Sequence, residues 1–97
     1  MSIRRLVSAV DNRLALSRGF ALLIQFRNGW KRFGERVRTL RTKKGWTQDE
    51  FADISGFHRA YIGTVERGET NISIRNIETL AKALGVKTAD LFKGFED

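Results

Sequence analysis

The chain has no cysteine, no proline, one histidine and one methionine. Without cysteine there is no disulfide, no thiolate nucleophile and no cysteine-ligated metal. One histidine cannot build a multi-histidine metal site. With no proline to break helices, and with Ala, Leu, Arg and Glu plentiful, an all-α fold is expected. Long hydrophobic runs are also missing. The longest is Phe20-Ala21-Leu22-Leu23-Ile24, far short of the roughly 20 residues of a membrane span. Arg18 interrupts any signal-peptide apolar region near the start, so a cytoplasmic protein is expected, with no membrane partner.

What is present is a short, basic chain. Its 97 residues fit one domain, and a chain of this size buries only about 60–65% of its unfolded surface. Apolar residues at 41% and charged residues at 30% make a globular composition, not a disordered one. Lys and Arg number 18 against 11 Asp and Glu, net +7. That excess favours an anionic partner, nucleic acid ahead of a membrane surface. Residues 1–30 hold five Arg and one Asp, net +4, whereas residues 31–97 hold thirteen basic and ten acidic residues, net +3. The first segment is one-sided and the second has the mixed surface of a folded domain. Asn28-Gly29 reads as a turn between them.

Helix signals recur from Trp30 onward. Phe33, Val37 and Leu40 share one helix face, and Gly45 after Lys43-Lys44 is a basic last turn with a glycine stop. Thr47-Gln48-Asp49-Glu50 fits a capping box, which opens a helix ending at Gly56. A short helix is expected over about 59–66, stopped by Gly68. Ser73 can cap a helix bearing Ile74, Ile77, Leu80, Ala81 and Leu84, closed by Gly85. Thr88 can cap a last short helix with Leu91 and Phe92. That makes five helices.

The stretch QDEFADISGFHRAYIGTVER, residues 48–67, reads as two short helices joined through Gly56. Ala52 is small where the second helix must cross close over the first. Gly56 suits the positive φ of a tight turn. Ile62 and Val65 face the core, and Phe51 and Phe57 complete the apolar set. Together these offsets are the pattern of a helix-turn-helix.

Residues 33–92 resemble the phage repressor and Cro type of helix-turn-helix domain, the XRE family. The matching phrases are Leu40-Arg41, Gly45-Trp46-Thr47-Gln48, Phe51-Ala52, Ser55-Gly56, Tyr61-Ile62, Glu66-Arg67-Gly68 and Leu80-Ala81-Lys82-Ala83-Leu84-Gly85-Val86. Within that family, HRAYIGTVERGETNISIRNIETLAKALGV is most similar to controller proteins of restriction–modification systems. The resemblance implies a five-helix fold, a homodimer, and a palindromic double-stranded DNA operator. It also places the second helix of the motif in the DNA major groove, its N-terminal residues nearest the bases.

Carried over by position, the outward residues are His58, Arg59, Ala60, Tyr61 and Thr64. Arg59 leads for base reading, because a guanidinium matches guanine O6 and N7 with two parallel bonds. Elsewhere it would be an ordinary solvated arginine. Ala60 or the Thr64 methyl could touch a thymine methyl, and Tyr61 could donate to a phosphate or pack on sugar. His58 is expected at the helix N-cap. The Gln48 amide and side chain would meet a phosphate at a helix N-terminus, or be plain first-turn groups; Thr47 is foremost a cap. Arg67, Asn71 and Arg75 follow the reading helix, where the family's loop runs along the backbone. Arg41 and Glu66 are expected to form the internal ion pair of phage-repressor relatives, and Trp46 to be core. Gly63 either admits the DNA backbone closely or is merely tolerated, the second being preferred.

Leu91, Phe92 and Phe95 exceed what five short helices can bury. By analogy the dimer two-fold lies near the last helix, with Ile72 and Ile74 close by. Ile3, Leu6, Val7, Val10 and Leu14 form a helical apolar stripe in residues 1–30, an added helix touching the domain or its dimer mate. Alternatively, that segment would bind a toxin in an autoregulating antitoxin. No converging acid, base and nucleophile set is visible, so an enzyme is not expected. Nor is a cofactor, metal or small-molecule ligand.

Overall fold

The computed structural model describes residues 29–93. They form α1 (Gly29–Lys43), α2 (Gln48–Ser55), α3 (Arg59–Glu66) and α4 (Ile74–Leu84), then a 3-10 turn (Thr88–Phe92). No strand occurs among the described residues. Among the described residues the fold is therefore all-helical, with four α-helices, and the fifth expected helix is the 3-10 turn. The last element is held by an i→i−3 bond from Asp90 N–H to the Lys87 carbonyl, the bonding pattern of a 3-10 helix. Thr88 is the first residue of that turn, not its cap. The Asp90 carboxylate accepts from the Lys87 amide at 3.1 Å instead. Gly29 lies in α1, and Asn28, its partner in the expected turn, lies outside the described residues. The 1–28 stripe and Phe95 lie outside the described residues.

The other helix ends follow local chemistry. The Thr47 hydroxyl accepts from Glu50 N–H, and the Glu50 carboxylate accepts from Thr47 N–H, both at 3.1 Å. Two orphan amide donors at the start of α2 are thereby satisfied. Gly56 stands in the left-handed region at φ 81°, its N–H bonded to the Ala52 carbonyl, so α2 stops and the chain turns into α3. Ser73 caps α4 by accepting from Asn76 N–H.

The core is one cluster drawn from every element: Phe33 and Val37 of α1, Phe51 and Ala52 of α2, Ile62 and Val65 of α3, and Ile77, Leu80, Ala81 and Leu84 of α4. Leu91 and Phe92 belong to it too, the latter with its ring 5.5 Å from Phe33. These two were expected to be surplus to the core. They are instead its floor, because the 3-10 turn folds under α1, where Arg36 Nε donates to the Asp90 carbonyl at 2.8 Å. Ile72, also expected on the dimer surface, is 3% exposed and likewise internal. Trp46 is half-buried and stacks on Phe51 at 6.0 Å.

The tightest helix contact sets the attitude of α3. A Cβ on Gly34 would stand 2.3 Å from the Val65 carbonyl oxygen and 2.6 Å from that of Glu66. With no side chain at Gly34, α1 lies directly against the C-terminal end of α3.

Candidate nucleic-acid interface

A buried ion pair locks α3 in place. Arg41 Nε donates to Glu66 Oε2 at 2.6 Å and Nη2 to Oε1 at 3.0 Å. The two side chains are 10% and 3% exposed. This is the expected pair, and it is bidentate, the geometry that suits guanidinium and carboxylate. Arg41 Nη1 also donates to the Trp46 carbonyl. Gln48 Nε2 donates to Glu66 Oε1 at 3.2 Å. The Gln48 side chain, expected to meet a phosphate, is therefore turned inward to this network. Among the described residues no buried side-chain polar atom is left without a partner, as a buried charge pair requires.

With its inner face so fixed, α3 presents His58, Arg59 and Ala60 to solvent, with Tyr61 and Thr64 half-buried beside them. His58 occupies the N-cap position with extended backbone, but its side chain makes no capping bond. Arg59 Nε lies 3.1 Å from Asp49 Oδ1, and both side chains are mostly exposed. A pair so open to water is worth little by itself, so the guanidinium can exchange the carboxylate for another acceptor. The Thr64 hydroxyl donates to the Tyr61 carbonyl at 2.8 Å. The Tyr61 ring packs on Phe57 with centroids 4.9 Å apart, and its hydroxyl accepts from Asn76 Nδ2 at 3.0 Å.

Arg67, Asn71 and Arg75 are all exposed. Arg67 pairs with the Glu69 carboxylate. Gly63 lies under the end of a flexible side chain, which accords with the preferred expectation that the glycine is tolerated. A Cβ there would stand 2.9 Å from Arg67 Nη1, so the bare helix surface is where the Arg67 guanidinium rests. Sequence reasoning missed Asp49, Glu69 and Asn76 as partners of the surface residues. Asp49 and Arg59 lie on different helices, and Asn76 is 15 positions from Tyr61, spacings that carry no periodic signal.

Among the described residues no helix is long and apolar enough to cross a membrane.

Residues 37–91 match the HTH_3 family, described as helix-turn-helix. The chain is 45% identical over 60 residues to the control protein C.BamHI of Bacillus amyloliquefaciens, covering 61% of this chain and 74% of that protein. It is 44% identical over 57 residues to the control protein C.SmaI of Serratia marcescens, covering 59% of this chain and 68% of that protein. Among solved structures, the restriction-modification controller protein C.AhdI of Aeromonas hydrophila is similar at a TM-score of 0.63 and 48% identity. That match covers 65% of this chain and 96% of the other.

Proposed function

The chain belongs to the HTH_3 (XRE-type) helix-turn-helix family and is a DNA-binding transcriptional regulator, and from that premise we propose that it is the controller of a restriction–modification system. It binds a palindromic operator as a homodimer, in the cytoplasm. The observation that carries this reading is the likeness to control proteins, joined to an α3 whose free face is Arg59, Ala60, Tyr61 and Thr64. Arg59 reads a base pair. His58, Tyr61, Arg67, Asn71 and Arg75 meet phosphates or sugars, and the α2 N-terminus, with Thr47 and the Gln48 amide, approaches another phosphate. Control acts through protein concentration and dimerisation.

Of the residues expected on a dimer surface, Ile72, Leu91 and Phe92 are internal. Ile54 and Ile74, 50% and 46% exposed, are the large apolar side chains left at the surface among the described residues. Two α3 helices related by a two-fold would then stand about 34 Å apart, one DNA turn.

Two measurements test the reading. Sedimentation at micromolar concentration should give a dimer, and a strict monomer contradicts it. The neighbouring genes should encode a restriction endonuclease or a DNA methyltransferase; a small RNase-like toxin gene there would favour an antitoxin instead.

A further inference from the structure

Tyr61 is the residue of the free face whose polar end is held from α4. Its ring is half-buried against Phe57. Its hydroxyl accepts from Asn76 Nδ2 at 3.0 Å. Asn76 in turn lies in the first turn of α4, where its backbone N–H is fixed by the Ser73 hydroxyl. The amide therefore reaches Tyr61 from a capped, stationary helix start. Among the described residues Asn76 is the phenol's one hydrogen-bond partner.

A phenol has one proton to give and two lone pairs to receive. With an Asn76 N–H on one lone pair, the hydroxyl keeps its proton for a further acceptor, and none is supplied among the described residues. Bonded groups also polarise one another, so a hydroxyl that accepts is a better donor. At the third residue of a helix whose N-terminus enters the major groove, a phosphate oxygen of the flanking strand would be such an acceptor.

We infer that Asn76 is a positioning residue for DNA recognition, which holds the Tyr61 hydroxyl as a neutral donor to one operator phosphate per half-site. The inference rests on the DNA-binding reading above. It assigns Asn76 to DNA affinity although its side chain faces Tyr61 and not the DNA. It also couples the start of α4 to the reading helix. Because the donor carries no charge, it releases no counterion. Its loss lowers affinity without changing the slope of affinity against salt.

The test uses the full chain on the operator recovered by selection from random DNA. Affinities are measured for wild type, Tyr61→Phe, Asn76→Ala and the double variant over a range of salt. Each single change should weaken operator binding about tenfold, the order expected for one lost hydrogen bond in each of two half-sites. The double variant should bind no worse than Tyr61→Phe alone, and all four salt slopes should agree. A purely structural Asn76 would weaken binding equally in the Tyr61→Phe background, so an additive double variant overturns the inference. Wild-type affinity for Asn76→Ala overturns it too. If selection recovers no preferred sequence, the regulatory reading itself fails, and this inference falls with it.

Discussion

Glu66 shows how a single carboxylate can decide whether a recognition helix is usable. It receives two bonds from Arg41 and one from Gln48 while nearly sealed from water. Removing one partner of a buried pair leaves the other charge uncompensated, which costs about 3–5 kcal/mol. In a domain this small that is a large share of the stability. Glu66→Ala should therefore lower the free energy of unfolding in urea by about 3 kcal/mol; a loss under 1 kcal/mol would show the pair to be dispensable. Arg59 has the opposite character. It is exposed, and its contact with Asp49 is too open to stabilise the fold. Arg59→Ala should leave thermal stability unchanged and flatten the base preference at one operator position, by about 1–3 kcal/mol of discrimination. Equal selectivity before and after the change would remove Arg59 from the reading set.

At the scale of elements, two glycines within helices make opposite predictions. Alanine is favoured over glycine in a helix by about 1 kcal/mol. At Gly34 the added methyl would meet two backbone carbonyls, the nearer at 2.3 Å, and backbone cannot step aside. Gly34→Ala should destabilise by about 1–3 kcal/mol, the usual cost of overpacking, despite its better propensity. At Gly63 the methyl meets only the end of the flexible Arg67 side chain. Gly63→Ala should stabilise by up to about 1 kcal/mol while displacing Arg67 and weakening DNA binding. Melting curves with paired binding isotherms check both, and a common sign for the two stabilities would contradict the packing. The helices themselves were legible in the sequence because their ends are local: the capping box at Thr47, the glycine stops and the Ser73 cap all lie within a few residues of what they terminate. The Arg41–Glu66 pair was legible only through the family resemblance. What escaped were contacts between elements. That Leu91 and Phe92 fold under α1 depends on a 3-10 turn and on Arg36 reaching Asp90, which no periodicity shows. The Asn76–Tyr61 bond and the Gly34 contact were invisible for the same reason.

For the whole molecule, the charge excess proves a poor guide to where binding resides. Of the net +7, only +3 belongs to residues 31–97, and two exposed arginines of that part are paired with carboxylates, Arg59 with Asp49 and Arg67 with Glu69. DNA must compete with those carboxylates, so affinity depends on the placement of a few cations and not on the total. Operator affinity should nevertheless fall steeply with salt, with a log–log slope of about −0.9 per phosphate neutralised; a flat dependence would reject DNA as the partner. On the proposed function, α3, held by Glu66 from within, reads a two-fold symmetric site. Selection of binding sites from random double-stranded DNA tests it most directly. The selected sites should form an inverted repeat whose half-site centres lie one helical turn apart, with a guanine in each half-site whose preference disappears for Arg59→Ala. Recovery of a single asymmetric site, or of no preferred sequence, would contradict it.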